Sequence, residues 1–152
     1  MKMTNQEAAA LLPILSQLKI CVPGSIGPGT ADKLIDLTCE VQEAYEQAMK
    51  KFGIIRDQTK PEGTASWEEA TSEQRSAWEK AMADPVRVLN DKEVTMSVEP
   101  LTREEFRQLT AANTLTGAQA AFLRRVLVEK QVVAGGTCPS RQKGPAQVGA
   151  NG

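Results

Sequence analysis

The sequence of 152 residues contains no histidine. Histidine is the commonest metal ligand and the commonest general base at neutral pH, so catalysis that depends on it is excluded. Cysteine is also scarce, because Cys21, Cys39 and Cys138 are odd in number and lack the paired spacing of a zinc site. A disulfide framework is therefore not expected either. We predict a protein that is not an enzyme and that has no metal and no cofactor.

Neither sign of charge is in excess. Eighteen basic residues are matched by nineteen acidic residues, for a formal net charge of −1. A protein that binds nucleic acid strongly through its phosphates normally has a basic excess or a basic face. Long apolar runs are missing too, since the sequence has no stretch of about 18 apolar residues that could span a membrane. We expect an intracellular protein without a membrane partner and without strong nucleic-acid binding.

Aromatic residues are few, with two tryptophans, one tyrosine and three phenylalanines. A core with so few large side chains gains less from burial, so part of the stability is expected to come from association between chains. We therefore predict a homo-oligomer, with a small helix-rich monomer as the alternative. Trp67 and Trp78 are interpreted as packing anchors, because no basic cluster surrounds them to form a base-stacking platform.

The longest helical pattern in the sequence runs from Thr30 to Gly53. Its apolar residues recur at steps of three and four and predict one buried stripe: Leu34, Leu37, Val41, Tyr45, Ala48 and Phe52. Gly53 follows two lysines, and glycine commonly ends a helix, so we predict the carboxyl end there. Cys39 lies near the stripe and is expected to pack. Glu40, Glu43 and Glu46 lie off the stripe and indicate a solvated surface more than a carboxylate metal site.

Capping boxes mark the starts of further helices. In this pattern a threonine or serine is followed three residues later by glutamate or glutamine. It occurs at Thr4–Glu7, Ser66–Glu69, Thr71–Gln74, Thr102–Glu105 and Thr116–Gln119. Ser66 and Thr71 are alternative starts for one helix, and the last helix is expected to reach about Gln131. Pro13 predicts a kink or a restart in the first helix, and Asp84–Pro85 predicts the end of the helix that contains Trp78.

One stretch has the alternation of a half-buried strand. Residues 93–101 place Val94, Met96 and Val98 on one face and polar residues on the other. The candidate partners are Lys19–Val22 and Val86–Leu89, and a strand without either partner would pair across a subunit interface. The predicted fold class is mainly α with a small antiparallel β element (α+β), in which shorter helices pack on the long central helix. We assign residues 1–133 to a single helical domain and residues 134–152, which lack periodicity, to a flexible tail.

The order of these pieces resembles a family of small phage and prophage proteins of unknown function. The resemblance is carried by the central-helix pattern E-x-Y-E-x-A-x-K and by the D-x-E-V strand. The matching residues are Glu43, Tyr45, Glu46, Ala48, Lys50, Asp91, Glu93, Val94 and Val98, followed by Leu101 and the helix at 115–127. The resemblance implies a phage origin and a related fold, and it assigns no catalytic residue. It places the protein in the cytoplasm of a host cell or in the virion.

These observations predict a non-catalytic, phage-encoded interaction protein that acts by binding and self-association, in virion assembly or in modifying a host process. Its partner would be a second copy and a host or phage protein. The candidate interaction residues are Val41, Tyr45, Ala48, Phe52, Val94, Met96 and Val98.

The first alternative is an anti-defence protein that sequesters a small nucleotide signal. The cations available for its phosphates are Lys19, Lys33, Arg56, Lys60 and Arg103. A carboxylate- and metal-dependent enzyme is the second alternative.

Overall fold

Five α-helices and one two-stranded sheet make up the computed structural model, which describes residues 1–130. The helices are α1 (Asn5–Gln17), α2 (Pro28–Gln58), α3 (Ser72–Asp91), α4 (Arg103–Ala112) and α5 (Gly117–Arg124), and a π-helical segment (Arg125–Glu129) follows α5. The strands are β1 (Lys2–Thr4) and β2 (Glu93–Thr95), and they are antiparallel. The predicted fold class, mainly α with a small antiparallel sheet, is confirmed. The predicted tail at 134–152 lies outside the described residues.

Helix α2 is a single rod, as predicted, but it is longer than its sequence pattern. It has 31 residues, which at about 1.5 Å per residue gives a length of roughly 46 Å. Pro28 occupies the first position, where its fixed φ favours helix. The predicted end at Gly53 is wrong. The last helical residue is Gln58, and Thr59 caps the end, because its N–H and hydroxyl both donate to the carbonyl of Ile55, at 3.0 and 2.7 Å.

The main core forms around the first half of α2. Leu34, Leu37 and Val41 are completely buried there. They belong to one cluster with Leu11 and Leu15 of α1 and with residues of β1, β2, α4, α5 and the π-helical segment. At roughly 25 cal/mol per Å² of apolar surface, burial of such side chains is the main term that stabilises this region. The cluster includes no described residue of α3 and none of α2 after Ala44.

The second half of α2, residues 45–58, packs instead against α3. We call these two segments the α2–α3 hairpin. The indole N–H of Trp78 donates to the carbonyl of Arg56 at 2.9 Å, and the rings of Trp67 and Trp78 lie 5.3 Å apart. Trp78 is only 2% exposed, so it anchors the hairpin as predicted. The hairpin therefore has its own small apolar cluster beyond the main core.

The sheet pairs β2 with a strand that the sequence analysis missed. Met3 lies opposite Val94, and Lys2 lies opposite Thr95. Neither predicted partner forms a strand, because residues 19–22 are irregular and residues 86–89 are helical. The predicted strand at 93–101 is also shorter, with only Glu93–Thr95 in the ladder.

The predicted restart at Pro13 and the predicted helix end at Asp84–Pro85 were both wrong. Helix α1 continues through Pro13 without a restart, and α3 continues through Pro85 to Asp91. A proline removes the hydrogen bond to the carbonyl four residues earlier. Those carbonyls belong to Ala9 and Ala81, which are exposed, so water can satisfy them.

The capping boxes mark real helix starts. Both reciprocal hydrogen bonds are present at Thr4, Thr71, Thr102 and Thr116. Thr71, rather than Ser66, begins α3. Ser66 only accepts a hydrogen bond from the N–H of Glu69 within a turn, at 3.3 Å. In the part of the chain that the structure describes, no helix is both long enough and apolar enough to cross a membrane.

Candidate functional site

The predicted interaction residues divide between the core and the surface. Val41, Met96 and Val98 are 0%, 4% and 8% exposed and pack inside the chain's own core, so a partner cannot reach them in this fold. Tyr45, Ala48, Phe52 and Val94 are half-buried, and Ala48, Phe52 and Val94 line surface recesses. The accessible part of the predicted set therefore lies along the second half of α2 and beside β2.

The most apolar recess lies on one side of the α2–α3 hairpin. It has a volume of about 360 Å³ and is lined by Phe52, Arg56, Trp67, Glu79, Met82, Ala83 and Val86. Phe52 and Arg56 are one turn apart on α2, and the four α3 residues recur at helical spacing. We call this recess the hairpin groove. It forms because only two helices meet here and no third described element covers this side.

Charges lie on both sides of the hairpin groove. Arg56 comes from α2 and Glu79 from α3, and neither side chain forms an ion pair within residues 1–130. Arg75 holds the end of the groove in place. Its guanidinium donates to the carbonyls of Trp67 and Glu68, each at 3.0 Å, and lies 5.7 Å from the centre of the Trp67 ring. The groove is thus a preformed apolar surface with one cation and one anion at its sides.

A second recess lies between β2 and α2. It has a volume of about 370 Å³, and its lining includes Glu43, Gln47 and Lys51 of α2 together with Lys92 and Thr95. At one end, the Glu40 carboxylate accepts hydrogen bonds from the N–H of Ser97, at 2.7 Å, and from its hydroxyl. We call this recess the edge groove, because it follows the free edge of β2.

A third recess is rich in arginine. Arg103, Arg107 and Arg124 line a cleft of about 330 Å³ together with Phe106 of α4. Arg107 pairs with Glu104 at 3.0 Å, and Arg124 pairs with Glu129 at 2.8 Å. Arg103 has no ion pair among the residues that the structure describes. The i,i+4 spacing of Arg103 and Arg107 was the signal in the sequence that could have indicated this cleft.

The cations named for nucleotide binding do not converge on one site. Lys33 is used inside the fold, where it pairs with Glu105 at 2.8 Å and donates to the carbonyl of Pro100 at 3.3 Å. Arg56 lines the hairpin groove, and Arg103 lines the arginine cleft. Burial raises the pKa of Glu105, but the Lys33 ammonium and hydrogen bonds from Thr102 outweigh it and hold the pKa below its usual value of 4.5.

A second half-buried carboxylate joins the two ends of the described chain. Glu7 of α1 pairs with Lys130 at 2.5 Å and with Arg125 at 3.3 Å. Burial raises the pKa of Glu7, but the hydrogen bonds from Lys130 and from the N–H of Thr4, together with the two cations, lower it below 4.5. Since the same carboxylate completes a capping box, we assign it a structural role.

Groups suited to metal binding do not assemble in residues 1–130. This region has no cluster of three or more cysteine, aspartate or glutamate side chains that could hold a metal ion. Cys39 was expected to pack, yet it is exposed, as is Cys21. Cys39 follows Leu37 by two residues, which is about 200° around the helix, so it faces away from the buried stripe.

Comparisons with family models, with curated proteins and with solved structures found no match to this chain. The fold therefore defines only a broad class, a mainly α protein with one small antiparallel sheet. The three recesses described above are the candidate binding surfaces considered for its function. The sequence analysis did not identify the residues of α3 in the hairpin groove, although Met82 and Val86 are four residues apart and share one face of the helix.

Proposed function

We propose that this chain is a non-catalytic binding protein that self-associates through the hairpin groove. The observation that supports the proposal is the apolar lining of the groove by Phe52, Trp67, Met82 and Val86 at a surface that no other described element covers. Contiguous exposed apolar surface is a feature of interaction sites, because its removal from water favours association.

A second copy of the chain is the occupant that the charges favour. In a dimer with a two-fold axis, each residue pair across the interface occurs twice in opposite directions. Arg56 of one copy can therefore face Glu79 of the other copy, and the reverse, so that the sides of the groove complement themselves. The net charge of −1 also leaves little repulsion between copies.

The test uses Ala83→Glu, which places a carboxylate in the groove. Ala77→Glu on the same helix is the matched control, because both alanines are exposed, both have a glutamate one turn earlier, and only Ala83 lines the groove. Sedimentation equilibrium over a range of concentrations should show dimers for the wild type and for Ala77→Glu. Ala83→Glu should raise the dissociation constant of the dimer at least tenfold and leave the far-ultraviolet circular dichroism spectrum unchanged. A wild-type monomer at every concentration, or equal effects of the two variants, would contradict the proposal.

As an interaction protein of phage origin, the chain would act in virion assembly or in modifying a host process. The proposed phage origin and role are supported only by the resemblance of the central helix and strand to small phage proteins. The genes that flank the coding sequence test it, since tail genes and early genes imply different partners.

The arginine cleft favours a second candidate function, the sequestration of a small nucleotide. Arg103, Arg107 and Arg124 can donate to phosphate oxygens, and the half-buried Phe106 ring offers an apolar face to a base. A ligand that binds the folded state raises the melting temperature by mass action. Thermal shift with inorganic phosphate and with linear and cyclic nucleotides tests this function. An increase should be lost in Arg103→Ala and kept in Arg87→Ala, which removes an exposed arginine of α3 outside the cleft. No increase with any of these compounds would rule the function out, and divalent metals in the same panel test the metal-enzyme alternative.

A further inference from the structure

The hydrogen bonds of the small sheet show which backbone groups of β2 remain available. Met1 and Met96 exchange hydrogen bonds, with the N–H of Met96 donating to Met1 at 2.7 Å and the amino group of Met1 donating to Met96 at 3.0 Å. The N–H of Asn5 donates to the carbonyl of Lys92 at 3.0 Å. In an antiparallel ladder, bonded and non-bonded pairs alternate along each strand.

Thr95 and Glu93 therefore belong to non-bonded pairs with Lys2 and Thr4. Their N–H and C=O groups point away from β1, toward the free edge of β2. Among residues 1–130, these four groups take part in no backbone hydrogen bond outside the ladder. The edge thus offers two donors and two acceptors with the spacing that an extended chain requires.

Helix α2 already fills the next position on this edge. The N–H of Ser97 points to the same side as that of Thr95, because Met96 between them still exchanges hydrogen bonds with Met1, and the chain bends at Ser97 itself. It donates to the Glu40 carboxylate of α2 at 2.7 Å, and the Ser97 hydroxyl donates to the same group. A side chain of α2 therefore replaces a neighbouring strand at Ser97, and the free edge of β2 faces α2 across the edge groove.

The two ends of the edge groove carry opposite charges. Glu43 lines one end, and Lys51 and Lys92 line the other, with apolar surface from Ala44 and Ala48 between them. None of these three charged side chains forms an ion pair inside the described part of the chain. Eight residues of helix separate Glu43 from Lys51, which is about 12 Å. An extended peptide covers that distance with roughly four residues.

We propose that the edge groove binds an extended peptide segment of a partner protein, which adds to β2 as a third strand. Backbone hydrogen bonds to Glu93 and Thr95 hold the peptide, and small apolar side chains of the peptide face Ala44 and Ala48. A basic side chain of the peptide lies toward Glu43, and an acidic one lies toward Lys51 and Lys92. Strand addition to an open edge is an established mode of peptide recognition. The site is separate from the hairpin groove and does not depend on self-association.

The probe is a fluorescein-labelled heptapeptide that alternates valine with threonine and carries lysine at position 2 and glutamate at position 6, which lie about 13 Å apart in an extended chain. Fluorescence anisotropy with the full chain measures its dissociation constant. A second peptide of the same sequence has N-methyl groups on alternate backbone nitrogens, which removes its donors and keeps its side chains. The unmodified peptide should bind at least tenfold more tightly than the methylated one. Equal binding of the two, or no binding at millimolar concentration, overturns the proposal.

Thr95 provides the matched pair of protein variants. Thr95→Pro removes the outward N–H without breaking a hydrogen bond to β1, whereas Thr95→Val keeps that N–H. Peptide binding should fall at least tenfold in Thr95→Pro and stay within twofold of wild type in Thr95→Val. Lys51→Glu, on the exposed face of α2, should weaken binding without touching the strand. Loss of self-association in Thr95→Pro would mean that a second copy occupies the edge, and the peptide proposal would then fail.

Discussion

The substitution Gly53→Ala tests whether α2 continues through Gly53 or ends there, because the two cases predict opposite effects on the free energy of unfolding. In the structure, Gly53 lies inside the helix, five residues before its last residue, Gln58. A Cβ added there would meet no heavy atom within 4 Å beyond its own turn of helix. Glycine is about 0.8–1.0 kcal/mol less favourable than alanine in a helix interior. We therefore expect Gly53→Ala to stabilise the protein by about 0.5–1 kcal/mol. If Gly53 instead ended the helix with positive φ, the substitution would destabilise it.

The measurement is thermal unfolding followed by circular dichroism at 222 nm, at one protein concentration so that self-association does not change. For a chain of this size, about 1 kcal/mol corresponds to a rise of roughly 2–4 °C in the melting temperature. Gly63→Ala is the control, because Gly63 has a φ of +76°, and a side chain in that conformation costs about 1–2 kcal/mol. The two variants should shift the melting temperature in opposite directions. A decrease in Gly53→Ala would refute the continuous helix through residue 58.

Three further predictions follow from the core, the carboxylates and the thiols. Leu37→Ala should lower the free energy of unfolding by about 2–5 kcal/mol in urea titrations, because Leu37 is fully buried; the same change at Ile54, which is 55% exposed, should cost less than about 0.5 kcal/mol. The folded-state pKa values of Glu7 and Glu105 lie below 4.5, so their stabilisation is complete above pH 4.5 and is lost as the pH falls through the folded values. In Glu105→Gln, the free energy of unfolding should therefore fall less at acid pH than in the wild type, as measured by urea titrations at several pH values. An unchanged pH profile would contradict the pairing of Glu105 with Lys33. Cys39 should react with Ellman's reagent in the native protein at a rate close to that in urea, when the other two cysteines are serine; strong protection would place it in the core.

Features that depend on neighbouring residues could be predicted from the sequence. The capping boxes at Thr4, Thr71, Thr102 and Thr116 were found because each hydrogen bond joins residues three apart. The buried stripe of α2 was found for the same reason, since helical periodicity alone places Leu34, Leu37 and Val41 on one face. These signals determine where most helices begin and which side of α2 faces the core.

Whether a helix continues past a proline or a glycine depends on solvent exposure and packing, which the local sequence does not reveal. Pro13 and Pro85 do not end their helices, because the carbonyls that lose a hydrogen bond belong to exposed residues. Gly53 does not end α2, because α3 packs beside residues 45–58 and the indole N–H of Trp78 donates to the carbonyl of Arg56, beyond the glycine. At Gly53, packing against α3 outweighs a helix preference of about 1 kcal/mol against glycine.

The sheet and the surface recesses depend on contacts between distant parts of the chain. β1 is only three residues long and pairs with a strand about ninety residues later, so its own sequence has no period to detect. The same holds for the recesses, since Phe52 meets Met82 in one of them and Glu43 meets Thr95 in another. A side chain could be assigned to a surface from the sequence, but its neighbours across the groove could not.

The position of each groove on α2 decides whether the two proposed binding events compete. Glu43, Gln47 and Lys51 recur at steps of four and share one face of the helix, whereas Phe52 and Arg56 share another. Gln47 and Phe52 are five residues apart, which is about 140° around the helix axis. A second copy in the hairpin groove therefore leaves the edge of β2 open. Ala83→Glu should abolish self-association and keep peptide binding, and Thr95→Pro should do the reverse, so the failure of one proposal does not remove the support for the other.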